Sequence, residues 1–157
     1  MISVGDTLPD VTFSLRENDD ITNPTTRELC NGKKVLIFAV PGAFTPTCSN
    51  AHLPGYVTLA DKFFDKGIDQ IICVAVNDAF VMQAWGKQQN ADHITMLADG
   101  AGDFAKAIGL ETDTGAFGGI RSKRYAMLVE NNIVKQLQVE KPKSFEVSSA
   151  ENMLSLI

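Results

Sequence analysis

Six consecutive apolar residues, Val35-Leu36-Ile37-Phe38-Ala39-Val40, stopped at once by Pro41 and Gly42, constrain the fold of this chain more than any other feature. Strand side chains alternate between two faces, so a run that is apolar at every position must be covered on both. A helical pattern follows the stop: Leu53, Val57, Ala60 and Phe64 recur at spacings of three and four. Pro46 suits the opening position of that helix, since the amide it lacks would have no intrahelical partner there. Strands are expected near 34–40, 70–76, 94–98, 124–130 and 133–139, and helices near 46–66, 79–89, 101–108 and 148–156, with no internal repeat. This alternation implies an α/β layer fold. Glu130-Asn131-Asn132 joins the last two strands. Two asparagines tolerate the positive φ of a tight turn, which predicts an antiparallel hairpin.

Between the first strand and its helix lies Pro41-Gly42-Ala43-Phe44-Thr45-Pro46-Thr47-Cys48. At a helix start the unpaired amides and the dipole favour negative charge, so a cysteine in the first turn ionises more readily than a free one. Cys48 is therefore a candidate nucleophile, and Thr45 or a nearby cation is needed to stabilise charge in a transition state. The alternative is a small apolar thiol filling space in the core.

Pro41, Thr45 and Cys48 match the Pro-x-x-x-Thr-x-x-Cys pattern of the peroxiredoxins, and the string from Pro41 to Tyr56 resembles their type II, or peroxiredoxin-5, subfamily. The resemblance continues through 76–85, Leu97-Ala98-Asp99-Gly100 and Arg121-Ser122-Lys123-Arg124-Tyr125-Ala126-Met127, in the same order along the chain. It implies a thioredoxin fold, a central mixed sheet flanked by helices, with residues 1–30 as an N-terminal extension. It also implies roles: Cys48 as the peroxidatic thiol, Thr45 as a peroxide ligand, Arg124 as the cation beside thiolate and peroxide, and Pro41 as a shield for the sulfur. Phe117 is matched to an apolar residue at the mouth of the site. Arg121 and Lys123 have no such match and are read as surface residues, and Phe44 and Phe80 as candidates for a subunit contact in a homodimer.

Composition agrees with a single domain over 1–157, at 45% hydrophobic and 21% charged residues. A formal net charge of -5 without a long basic run argues against a nucleic-acid surface. The start shows no signal or transit segment, and no apolar run approaches the ~20 residues of a membrane helix, so a cytoplasmic location is expected. Three cysteines without a framework of spacings suit a reducing compartment.

Cys73, within Ile71-Ile72-Cys73-Val74-Ala75-Val76, reads as a buried, inert thiol of a central strand. Cys30, before Asn31-Gly32, reads as partly exposed but unactivated. Some relatives carry a second, resolving cysteine late in the chain; here that region is Phe145-Glu146-Val147-Ser148-Ser149-Ala150. An external thiol is therefore expected, glutathione with glutaredoxin, or thioredoxin, and no prosthetic cofactor. His52, four residues after Cys48, shares its helix face and reads as an orienting or packing residue. A Cys-His acyl-transfer pair and a zinc site both lack further partners, His93 lying in a polar stretch. Gly115, Gly118 and Gly119 read as a flexible turn rather than a phosphate loop.

The expected activity is a thiol-dependent peroxidase of antioxidant defence and redox homeostasis. It reduces hydrogen peroxide and organic hydroperoxides to water and alcohols through a Cys48 sulfenic acid. Rival readings are a thiol-disulfide transferase, against which stands the absence of Cys-x-x-Cys at Cys48, and a non-enzymatic redox sensor or holdase.

Overall fold

The computed structural model describes residues 1–157. The chain begins with strands β1 (Leu15–Glu17) and β2 (Asp20–Thr22), helix α1 (Thr26–Cys30) and strand β3 (Lys34–Ala39). After the turn at Pro41 comes a π-helical turn, Cys48–His52, running into α2 (Leu53–Asp65). Then follow β4 (Gln70–Ala75), α3 (Ala79–Gln88), β5 (Ile94–Ala98), α4 (Asp103–Ala107), β6 (Glu111–Asp113), β7 (Ile120–Ser122), β8 (Tyr125–Glu130), β9 (Ile133–Val139) and α5 (Ala150–Ser155).

The central sheet has the order β5-β4-β3-β8-β9, parallel through β5, β4 and β3 and antiparallel through β8 and β9. This is the mixed sheet of a thioredoxin fold. The expectation for 35–40 is met residue by residue. Leu36, Phe38 and Val40 join one apolar cluster, with α2, α3 and α5, while Val35, Ile37 and Ala39 join a second with α1 and α4. β4 splits likewise, Ile71, Cys73 and Ala75 to the first cluster and Ile72 and Val74 to the second. Asn131 and Asn132, at φ 48° and 67°, turn β8 into β9 as their residue types predict.

Two expectations are corrected. Cys30 is buried, 1% exposed, because α1 packs into the second cluster with Leu29 and Phe13. Burial raises its thiol pKa to about 11, against a smaller opposing pull from Lys33. Gly115, Gly118 and Gly119 form the expected turn, which closes a hairpin between the paired strands β6 and β7. Arg121, in contrast, is not a solvated residue. Its guanidinium donates to the Val76 carbonyl at 2.7 Å and the Gly118 carbonyl at 3.1 Å, pinning the hairpin to the end of β4. A Cβ at Gly118 would lie 2.5 Å from the Arg121 Nε, so any larger residue there would push the guanidinium off these carbonyls. No helix is long and apolar enough to cross a membrane.

Candidate active site

Sheet register explains how residues 76 positions apart meet. Ala39 at the end of β3 pairs with Tyr125 at the start of β8, so Arg124 lands beside the turn that Pro41 opens. From there the Arg124 Nη2 donates to Cys48 Sγ at 3.1 Å, so a guanidinium, which carries its charge at any working pH, lies directly against the sulfur. Cys48 is 1% exposed. Its neighbours Pro41, Thr47 and Arg124 line a cavity of about 480 Å³ whose rim also carries Lys123, Lys141 and Lys143.

The turn before Cys48 is tightly specified. Phe44 is held at φ 63°, a left-handed conformation that costs a bulky residue about 1–3 kcal/mol. The Ala43 amide donates to Asn77 Oδ1 at 3.0 Å, which anchors this turn to the end of β4. Thr45 donates its one hydroxyl proton to the Gly42 carbonyl at 2.7 Å, so its oxygen is left as an acceptor only. The Cys48 amide has no acceptor within the protein, as expected at a helix start.

His52 lies on the other side of Arg124. Its Nδ1 is 2.8 Å from Arg124 Nη1 and its Nε2 3.1 Å from the Ser148 carbonyl. A guanidinium can only donate, so Nδ1 accepts and Nε2 carries the proton. The ring is therefore neutral. Burial, and then the Arg124 charge, lower its pKa from 6.5 to about 3, against the pull of the Ser148 carbonyl and Glu140. Held this way, His52 contacts Arg124 rather than the sulfur.

Sequence reasoning passed over the segment that supports this arrangement. Tyr56 also donates to the Ser148 carbonyl, at 2.8 Å, and stacks on Phe38 with ring centroids 4.0 Å apart. Phe145 packs on His52 at 5.0 Å and faces the Arg124 guanidinium at 5.9 Å. Glu140, 8% exposed, accepts from the amides of Glu146 and Ser148 and from the Ser148 hydroxyl. A lone Glu after an alternating strand carries no signal in sequence for such a role.

The other candidates separate. Cys73 is buried in the same cluster as Cys48, with its thiol pKa raised well above 9.0 by burial and by the neighbouring Cys48. Cys30 belongs to the cluster on the opposite face of the sheet. Phe117 stands 67% exposed on the β6–β7 hairpin and is not among the residues lining this cavity. Lys123 is exposed as expected. No three His, Cys, Asp or Glu side chains are grouped to hold a metal ion.

The Redoxin family model matches residues 3–154. Peroxiredoxin-2D of Arabidopsis thaliana is 48% identical over 99% of this chain and 98% of its own length. Reduced Prx3 of Vibrio vulnificus, solved in complex with H2O2, is 58% identical and superposes with a TM-score of 0.98 over 99% of both chains. Peroxiredoxin 5 from Alvinella pompejana is 39% identical, with a TM-score of 0.87 over 99% of this chain and 97% of its own.

Proposed function

Since the chain belongs to the redoxin family and, within it, to the type II peroxiredoxins, we propose that its thiol-dependent peroxidase activity is carried by Cys48 with Thr45, Arg124 and Pro41. The observation that carries this assignment is the 3.1 Å contact from Arg124 to the Cys48 sulfur. Cys48 attacks one oxygen of the peroxide as a thiolate. The O–O bond breaks, the sulfur gives up two electrons, and the departing oxygen takes a proton to leave as water or an alcohol. Cys48 remains as sulfenic acid. The Thr45 oxygen accepts from the peroxide hydroxyl, the Cys48 amide donates to it, and Arg124 stabilises charge as it moves from sulfur to oxygen. Pro41, at the lip of the cavity, shields the sulfur from water.

Peroxiredoxins work through cysteine without a prosthetic cofactor and draw their electrons from an external thiol. Here we assign that role to glutathione, directly or through glutaredoxin. A first thiol condenses with the sulfenic acid, releasing water and leaving a mixed disulfide; a second releases reduced Cys48 and a disulfide. Lys123, Lys141 and Lys143 around the cavity give a chain of net charge -5 a local match for a thiol bearing carboxylates. Both apolar clusters share one sheet, and the family model spans 3–154, which supports a single domain over 1–157. Hydrogen peroxide and organic hydroperoxides are the substrates, the setting is cytoplasmic antioxidant defence, and the assembly is a homodimer.

Mass spectrometry after one equivalent of peroxide tests the route. Glutathione is expected to add to Cys48 alone. A disulfide from Cys48 to Cys73 or Cys30 overturns the one-cysteine cycle, and sustained peroxide consumption by Cys48→Ser overturns the assignment. Consumption that stops after one turnover under excess thiol points instead to a redox sensor.

A further inference from the structure

Beyond Cys48, Thr45 and Arg124, a closed ring of contacts runs behind the arginine. The Glu140 amide donates to the Arg124 carbonyl at 3.0 Å, so the two backbones are tied together. The Glu140 carboxylate reaches to the next segment. One oxygen, Oε2, accepts from the Ser148 hydroxyl at 2.7 Å, the Ser148 amide at 2.8 Å and the Glu146 amide at 2.9 Å; Oε1 accepts from the Glu146 amide at 3.0 Å. The Ser148 carbonyl fixes His52, and His52 fixes the Arg124 Nη1, leaving Nη2 on the sulfur.

Each link has one direction available to it. Amides and hydroxyls donate to a carboxylate, the carbonyl accepts from the imidazole, and the imidazole accepts from the guanidinium. Residues between β9 and α5 form no strand or helix apart from turns, so their backbone has no ladder to set its shape. The carboxylate supplies what the ladder would. Burying a charge is costly, and the hydrogen bonds to Glu140 meet that cost: burial pushes its pKa up, but the bonds from Ser148 and Glu146 outweigh burial and leave it below 4.5. A closed ring of this kind holds a guanidinium in one orientation, and a misplacement of about 1 Å at a reacting centre costs as much as 100-fold in rate.

We propose that Glu140 is a positioning residue for peroxide reduction, its carboxylate setting, through Ser148 and His52, the direction in which Arg124 presents its guanidinium to Cys48. This rests on the assignment of Cys48 and Arg124 above. Glu140 makes no hydrogen bond to the Cys48 sulfur and acts on it only through this ring.

The test is stopped-flow oxidation of the reduced protein by hydrogen peroxide, paired with nitrogen NMR of the histidine rings. With only two histidines in the chain, a His93→Gln variant assigns the spectrum. In Glu140→Gln an amide group faces N–H donors where an oxygen stood, and oxidation is expected to slow about 10-fold. The His52 signals should lose the pattern of a single Nε2-protonated ring. In an Arg124→Lys background the same change should cost less than about 2-fold, since the fork it positions is gone. Ser148→Ala, which deletes one donor and keeps the backbone, should slow oxidation about 3-fold with the same direction of NMR change, and serves if Glu140→Gln does not fold. Glu146→Gln, on an exposed side chain of the same segment, should behave as wild type.

A Glu140→Gln protein that is less stable yet keeps its oxidation rate and its His52 signals overturns the proposal, because Glu140 then only staples a loop. So does a full penalty in the Arg124→Lys background. Failure of the wild-type protein to react with peroxide would instead overturn the assignment of Cys48.

Discussion

Two buried side chains near the sulfur lead to opposite expectations under mutation and pH. His52 is fully buried and neutral, with its pKa lowered to about 3. In the unfolded chain the ring takes up a proton near 6.5, so between pH 6.5 and about 3 the unfolded state binds a proton that the folded state refuses. Stability is complete above that window and falls as the pH drops through it, by about 2 kcal/mol from pH 8 to pH 5. Glu140 adds a loss of the same sign toward its usual 4.5, and Asp99, whose carboxyl burial pushes up, adds an opposing gain, so it is the difference between the wild type and a histidine variant in urea titrations that isolates His52. A His52→Gln variant, weaker overall, should lose this slope. Cys73 behaves differently. Cys73→Ser should leave turnover at 25 °C largely intact, but a hydroxyl in that apolar cluster lacks a partner and should cost about 1–3 kcal/mol in the same titration. The sequence carries Pro41, Thr45, Cys48 and Arg124 as a legible pattern. It does not carry the neutral state of His52, which depends on a carbonyl 96 residues away, nor the fact that Thr45 has already spent its proton on Gly42.

The elements that were legible are those with a two-faced burial requirement. β3, β4 and β8 are apolar at nearly every position and β5 nearly so, while β9, an edge strand with Lys135, Gln136 and Gln138 among its apolar residues, is legible from its hairpin with β8 instead. The three-residue strands β1, β2, β6 and β7 were not, because pairs so short are held by contacts made elsewhere: Arg121 pins one hairpin to β4, and Arg16 and Asn18 bond Gln83 of α3 from the other. The π-helical turn was hidden for a different reason. Pro54, two residues beyond it, has no amide to offer the Asn50 carbonyl, while the Leu53 amide bonds the Cys48 carbonyl rather than that of Ser49. Widening the turn keeps Cys48 and His52 on one side, each in contact with Arg124. In Pro54→Ala the missing donor returns and an ordinary α-turn becomes available. Stability should be kept or rise by about 1 kcal/mol, while the rate of Cys48 oxidation falls about 10-fold as the sulfur rotates away from the guanidinium. Loss of stability with an unchanged rate would show that the π-turn has no part in placing the thiol.

At the scale of the molecule the remaining question is what covers the exposed aromatics. Phe44 is 49% exposed, Phe80 58%, Phe117 67% and Ile120 38%, whereas single surface hydrophobics need no explanation. These four are gathered by the architecture. Phe44 follows β3 and contacts Trp85 of α3 at 6.4 Å; Phe80 begins α3, just after β4; Phe117 and Ile120 ride the hairpin that Arg121 ties to Val76 at the end of β4. All of them therefore border the end of the sheet that carries the Cys48 turn. The cost of holding Phe44 in a left-handed conformation makes sense if the ring it presents is buried by a second chain. A twofold contact would use this surface on both protomers and bring their two Cys48 turns near one interface. Phe80→Asp places a charge within that contact and should convert a dimer to monomer in sedimentation at micromolar concentration. The Arg16 guanidinium, 4.8 Å from the Phe80 ring, can pair with the new carboxylate, so the monomer should remain folded. If the wild-type chain sediments as a monomer, or if Phe80→Asp remains dimeric, the exposed aromatics serve another contact and the dimer surface lies elsewhere.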